Sequence, residues 1–286
     1  MRDFSYRRPD SLDEAQRLAC EDGAMLLAGG QTLLRDMKLG LHAPASLVDI
    51  AGLIPRHIER RENAISIGAG ATHAEVAQSP VLHQHLPVLA ALVGHIGDPA
   101  VRHRGTLGGA VAANEPSGDY PAACLALDAT LHTTKRDIAS LEFFVGDRRT
   151  SLEPGEIVTS ATFPLARRAA YVKFLNPAAR YAMVGVFAAV LRDGSPRVAV
   201  TGARVNGASR WKEAEGALAT SFLPERLDGV HLSTDGLAQD LFADAEYRAH
   251  LAGVLARRAV ALTDRGGSGV LVLSHGSWFT RASGLE

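Results

Sequence analysis

With 286 residues, 47% of them apolar, the chain can bury more than one hydrophobic core. Its 30 Lys and Arg balance 31 Asp and Glu to a net charge of −1, without the basic stripe that nucleic-acid binding needs; the pairs Arg7-Arg8, Arg60-Arg61, Arg148-Arg149 and Arg257-Arg258 read as solvated surface. Its 2 cysteines, Cys20 and Cys124, are too few for a disulfide framework or a four-thiolate iron–sulfur cluster, and read as buried free thiols of a cytoplasmic protein.

The N-terminal "MRDFSYRRPD" lacks the apolar stretch of a signal peptide, and no run long enough for a membrane span follows. "SLDEAQRLACEDG" predicts a helix, with Ser11 as N-cap, Glu14 completing a capping box, and Gly23 ending it. "AMLLA" predicts a short buried strand running into Gly29-Gly30, "TLLRDMKL" a helix, and "SLVDI" a further strand. "AISIGAGATHAEV" repeats the strand, small-residue and helix theme, with Thr72 and Glu75 as a second capping box. "VLHQHLPVLAALVGHIG" predicts one buried helical stretch, "VRHRGTLGGAVAAN" a second glycine-rich loop, and "SGDYPAACLALDA" a helix with Asp119 in its first turn. "ATLHTT" and "EIVTSATFP" predict strands.

The texture changes near 165–172, after Pro164. "YVKFL", "YAMVGVFAAVLR" and "RVAVTGARVNG" predict a meander with a turn at Asp193-Gly194; "WKEAEGALA" and "AEYRAHLAGVLARRAVAL" predict helices. The expected division is 1–168, with parts at about 1–55 and 56–168, then 169–264, then an extended or mobile tail over 265–286.

Glycine lets a ligand approach the main chain, and successive backbone N–H groups in such a bend form an anion-binding concavity. "AGGQT" and "GTLGG" each pair glycines with a hydroxyl, a chemistry that suits phosphate; together they suit a pyrophosphate held from two sides. Either alone is also an ordinary tight turn. Neither is the dinucleotide fingerprint G-x-G-x-x-G or a P-loop. His83 and His85 lie two apart and face different sides of a helix, and there is no zinc helix or nucleophile elbow. No acid–base pair for chemistry on an organic substrate stands out.

"AGGQTLLRDMKLG", "IGAGATHAEVAQSP" and "HIGDPAVRHRGTLGGAVAANEPSGDYPAACLALDA", in this order, resemble the FAD-binding medium subunits of the molybdenum hydroxylase family, such as those of carbon monoxide dehydrogenase, and the flavin domain of xanthine dehydrogenase. "NPAARYAMVGVFAAV" and "EYRAHLAGVLARRAV" extend the resemblance over nearly the whole chain, short of the last twenty or so residues. It implies an α+β fold: a two-part, PCMH-like FAD-binding domain followed by a small α+β C-terminal domain of the carbon monoxide dehydrogenase flavoprotein type. It implies contacts to the FAD pyrophosphate from Ala28, Gly29, Gly30, Gln31 and Thr32, and from Thr106, Leu107, Gly108 and Gly109. It further implies Asp119 at the ribityl chain, Ile96, Gly97 and Val158 lining the cofactor, and Tyr181 covering the isoalloxazine.

The same resemblance implies non-covalent FAD and a heterotrimer, arranged as a dimer of heterotrimers. A large partner would carry molybdopterin and oxidise the substrate; a small partner would carry two [2Fe–2S] clusters. The FAD would pass electrons to an acceptor such as NAD, oxygen or a quinone. Two positions depart from the family pattern: Arg35 stands where many relatives have proline, and Arg180 where others have aspartate. Two further readings stay open here. A stand-alone flavin oxidoreductase would turn over substrate by itself. A structural subunit without FAD would show degraded glycine bends, and both bends are intact.

Overall fold

The computed structural model describes residues 3–264 and 268–274. Among the described residues the chain builds three larger sheets in sequence order, besides a two-stranded hairpin. The first is parallel and three-stranded, β1 (Ser5–Arg7), β2 (Ala24–Leu27) and β3 (Ser46–Asp49), ordered β1-β3-β2. Helices α1 (Leu12–Ala19) and α2 (Leu33–Lys38) connect these strands. Ser11 caps α1 by accepting from the Glu14 amide. The expected capping box is not closed, because the Glu14 carboxylate reaches one residue further back, to the Asp10 amide. Cys20 is the C-cap of α1 and is exposed, against expectation, since that position has left the apolar stripe; Cys124 is buried.

The second sheet is antiparallel, ordered β4-β5-β10-β6-β7: β4 (Ile58–Arg60), β5 (Ala64–Gly68), β6 (Thr130–Thr133), β7 (Asp137–Ala139) and β10 (Val158–Pro164). Between β5 and β6 come helices α3 (His73–Gln78), α4 (Pro80–His85), α5 (Pro87–Gly94), α6 (Pro99–Arg104), α7 (Leu107–Ala113) and α8 (Asp119–Ala126). The Thr72–Glu75 capping box at α3 is complete. The single helix predicted over 81–97 is instead α4 and α5. Pro87 forces Leu86 out of the helical region (φ −149°, ψ 58°) and starts a new helix. Helix α9 (Ser140–Phe143) leads into a short hairpin, β8 (Phe144–Gly146) and β9 (Arg149–Thr150).

The third sheet is ordered β14-β13-β12-β11-β15, from β11 (Arg168–Leu175), β12 (Ala182–Val190), β13 (Pro196–Thr201), β14 (Ser209–Arg210) and β15 (Gly269–Leu273). Strand β12 is buried along its whole length. Its Val184, Val186 and Ala188 join the core under helices α10 (Lys212–Leu218) and α11 (Ala245–Asp264), while Phe187 and Ala189 join the core of the second sheet. A strand covered on both faces needs apolar residues at every position, which explains its unbroken run.

Residues 269–273 were expected to belong to a tail. They form β15, pairing parallel to β11. Val270 packs on one core and Leu273 on the other, so a period of two was present but hidden by apolar residues on both faces. The rest of that expected tail, 265–267 and 275–286, lies outside the described residues. Among the described residues no helix is long and apolar enough to cross a membrane.

Candidate functional site

The turn from β2 into α2 faces helix α7 across a cavity of about 500 Å³. Ala28, Gly29, Gly30, Gln31 and Thr32 line one wall; Thr106, Gly108 and Gly109 line the other, and Val158 at the start of β10 contributes to the lining. The two glycine segments, far apart in sequence, therefore converge.

They converge for different reasons. A Cβ at Gly29 would fall 2.0 Å from the Arg104 carbonyl oxygen, so the missing side chain lets one segment lie directly on the other. Gly30 holds φ +74°, a left-handed conformation that glycine tolerates and that turns the chain into α2. Gly108 closes against Ala69, where a Cβ would lie 2.6 Å from the alanine methyl. Gly109 alone of these faces open space, with only the Thr106 hydroxyl within reach of an added Cβ, at 3.0 Å.

The donors are also unequal. Among the described residues, the amides of Gly29, Gly30, Gln31 and Thr32 donate to no protein acceptor. An unpaired run of successive N–H groups lining a cavity is an anion cradle. The expected second cradle is not a free loop. Its glycines sit in the first turn of α7, and three of its four amides are already used. Leu107 donates to Ala71, Gly108 to Ala69, and Gly109 to the Thr106 hydroxyl. That wall offers the hydroxyl hydrogen of Thr106 and the close approach that Gly109 permits. Thr32 makes no capping bond, so its hydroxyl is free as well.

The remaining expected residues lie away from this cavity. Leu107 is fully buried. Gly97 turns at φ +54° against Val101, and the carbonyls of Ile96 and Gly97 both accept from Arg102. Asp119 is buried between the second and third sheets, its carboxylate accepting from the Tyr171 hydroxyl and, at 2.7 Å, from Lys173 Nζ. Lys173 is itself buried, so the pair must be kept together: either charge alone would be stranded away from water. Tyr181 is half-exposed, and its hydroxyl is 2.5 Å from Arg35 Nη1.

Sequence reasoning missed several groups. Asp36 is almost fully buried and Arg148, read as solvated surface, pairs with it at 3.1 Å; both line the cavity. The sequence signal was an aspartate on the inner side of α2, which demands a cation. His73 also lines the cavity, between α3 and Gly105. Burial, with Arg102 nearby, pushes its pKa down to about 4, so it is neutral at pH 7, and its Nδ1 has no partner. Among the described residues no cluster of His, Cys, Asp or Glu could hold a metal ion.

Fold and site thus define a protein of mixed α/β architecture with an anion-binding cavity, whose unpaired amides and hydroxyls suit a diphosphate and which holds no metal-ligand cluster among its described residues. Residues 2–166 match the family described as FAD binding domain in molybdopterin dehydrogenase, and the chain belongs to that family. It is 32% identical over 271 residues to the nicotine 6-hydroxylase medium subunit of Paenarthrobacter nicotinovorans, covering 89% of this chain and 95% of that one. It is 31% identical to the carbon monoxide dehydrogenase medium chain of Hydrogenophaga pseudoflava, covering 90% and 96%. A solved structure of reconstituted carbon monoxide dehydrogenase from Oligotropha carboxidovorans superposes with a TM-score of 0.84 at 28% identity, over 92% of this chain and 98% of that one. The protein is a flavoprotein subunit of an oxidoreductase, and its cofactor is FAD.

Proposed function

We propose that this chain is the electron-transfer subunit of a heterotrimeric molybdenum hydroxylase. A small partner carrying [2Fe–2S] clusters delivers electrons, a large molybdopterin partner houses the substrate, and an external acceptor takes the electrons away. Bound FAD exchanges electrons singly or in pairs, which joins one-electron clusters to a two-electron acceptor.

The chain's own residues bind and position. The amides of Gly29, Gly30, Gln31 and Thr32 hold the diphosphate from one side. The Thr106 hydroxyl donates from the other, Gly109 leaves the diphosphate room, and Val158 packs on the nucleotide. Asp119, fixed by Lys173 and Tyr171, accepts from the ribityl chain, and Tyr181 covers the isoalloxazine. Binding is non-covalent. The observation that carries this reading is the unpaired amide run across the cavity from Thr106 and Gly109. The expected assembly is a dimer of heterotrimers.

Coexpression with the partner subunits tests it. The purified complex should hold one FAD per copy of this chain, and substrate added to the complex without acceptor should bleach the flavin absorption. The isolated chain should bind FAD yet oxidise no substrate. Substrate turnover by the isolated chain would overturn the electron-transfer assignment and favour a stand-alone oxidoreductase.

A further inference from the structure

Within the first unit, residues 3–55, β1, β2, β3 and α1 pack on one another, with Ile157 of the second unit closing their small core and Gly29 lying on the Arg104 carbonyl. A ring of charge also ties α2 to the second unit. Arg35 Nη2 lies 2.6 Å from Glu115 Oε1, and Arg35 Nε lies 2.9 Å from Asp36 Oδ1. Arg148 completes the ring, with Nη1 3.1 Å from Asp36 Oδ2 and Nη2 2.8 Å from Glu115 Oε2. Two guanidinium groups thus alternate with two carboxylates. Arg35 and Asp36 belong to α2, Glu115 to the α7–α8 connection, and Arg148 to the turn of the β8–β9 hairpin. The third sheet's unit joins in through Tyr181, whose hydroxyl bonds Arg35 and whose ring lies 5.8 Å below that guanidinium.

The hairpin is held in place for this. Asn114, in the left-handed conformation at φ +40°, donates through Nδ2 to the Gly146 and Arg149 carbonyls that flank Arg148. The ring borders the cavity, since Asp36 and Arg148 both line it. It is buried on one side and wet on the other. The Asp36 and Glu115 side chains are 1% and 12% exposed, against 35% and 40% for Arg35 and Arg148. Withdrawing either guanidinium would leave a buried carboxylate without one of its partners, so the ring holds or opens as a unit. The wet guanidiniums make that opening sensitive to salt.

We propose that the Arg35–Asp36–Glu115–Arg148 ring is a clasp that holds the first unit against the second over bound FAD, steadies Tyr181, and opens to admit or release the dinucleotide. The proposal rests on the FAD reading above. It also gives Arg35 a purpose: a proline there could not reach Glu115 or Tyr181.

The test is the rate at which the FAD-loaded full chain releases FAD after large dilution, read from the fluorescence of free FAD at low and at 0.5 M NaCl. The wild-type chain should release FAD several-fold faster in high salt. Glu115→Gln should release it at least tenfold faster than wild type in low salt, with the salt dependence lost. Arg35→Lys, which keeps the charge without the fork, should fall between them. Release from both variants within twofold of wild type would overturn the clasp, as would a wild-type rate indifferent to salt. So would faster release that tracks lost thermal stability while the salt dependence survives. A wild-type chain that never takes up FAD overturns the FAD reading and the clasp together; uptake with salt-independent release overturns the clasp alone.

Discussion

Gly109→Val should give a chain that folds normally and has lost its FAD. Gly109 is in the first turn of α7, and a Cβ there meets only the Thr106 hydroxyl, at 3.0 Å. A hydroxyl can give by a few tenths of an ångström, and a β-branched residue is at least as compatible with a helical turn as glycine. The valine methyls would then project toward the cavity, where the diphosphate needs to approach. Displacing it from two charge-assisted hydrogen bonds costs roughly 3 kcal/mol or more, at least about a hundredfold in affinity. The check is paired: absorption at 450 nm for bound flavin, and a melting curve of the FAD-free chain. The melting temperature should match that of FAD-free wild type within about 2 °C, since the new side chain meets only one hydroxyl and otherwise projects into the cavity. A stoichiometric flavin signal in Gly109→Val would remove the α7 wall from the site.

Gly29→Ala should damage the fold as well as the binding. The added Cβ would fall 2.0 Å from the Arg104 carbonyl oxygen and 3.0 Å from Gly105 Cα. Both are backbone, so no side chain can swing aside, and the β2–α2 turn must back away from the α6–α7 connection. Overpacking of this kind costs about 3 kcal/mol, at the upper end of the usual range. In a chain of this size that lowers the melting temperature by roughly 6–12 °C. The amides of Gly29 to Thr32 would move with the turn, so FAD binding should fall too. The two glycine substitutions thus separate two jobs that the sequence presents alike. One glycine faces the nucleotide and the other faces a second segment of the protein. Equal effects of both variants on FAD-free stability would refute that division.

This contrast marks the limit of what the sequence made legible. The Ser11 and Thr72 caps, the strand–glycine–helix passages and the meander beyond Pro164 follow local rules of period and capping, although those rules also closed a Ser11–Glu14 box that the structure leaves open. The pairing of "AGGQT" with "GTLGG" could be inferred from their shared chemistry. What each glycine touches could not, because Gly29 and Arg104 meet only through tertiary contact. For the same reason the second segment looked like a loop. Glycines in the first turn of a helix have the same composition as a loop, and only the bonds from Leu107 to Ala71, Gly108 to Ala69 and Gly109 to Thr106 show that most of its amides are spent. Strand β15 was hidden by apolar residues on both faces. Arg148 looked like surface because its partner Asp36 is 112 residues away.

The central claim is that Gly29 to Thr32 and Thr106 grip one diphosphate between them. A crystal structure of the FAD-loaded chain tests it most directly. Diphosphate oxygens within hydrogen-bonding distance of those amides and of Thr106 Oγ1, with Gly109 against the bridge, are the predicted result. A diphosphate seated anywhere else, with the amides of Gly29 to Thr32 left bare, would contradict it.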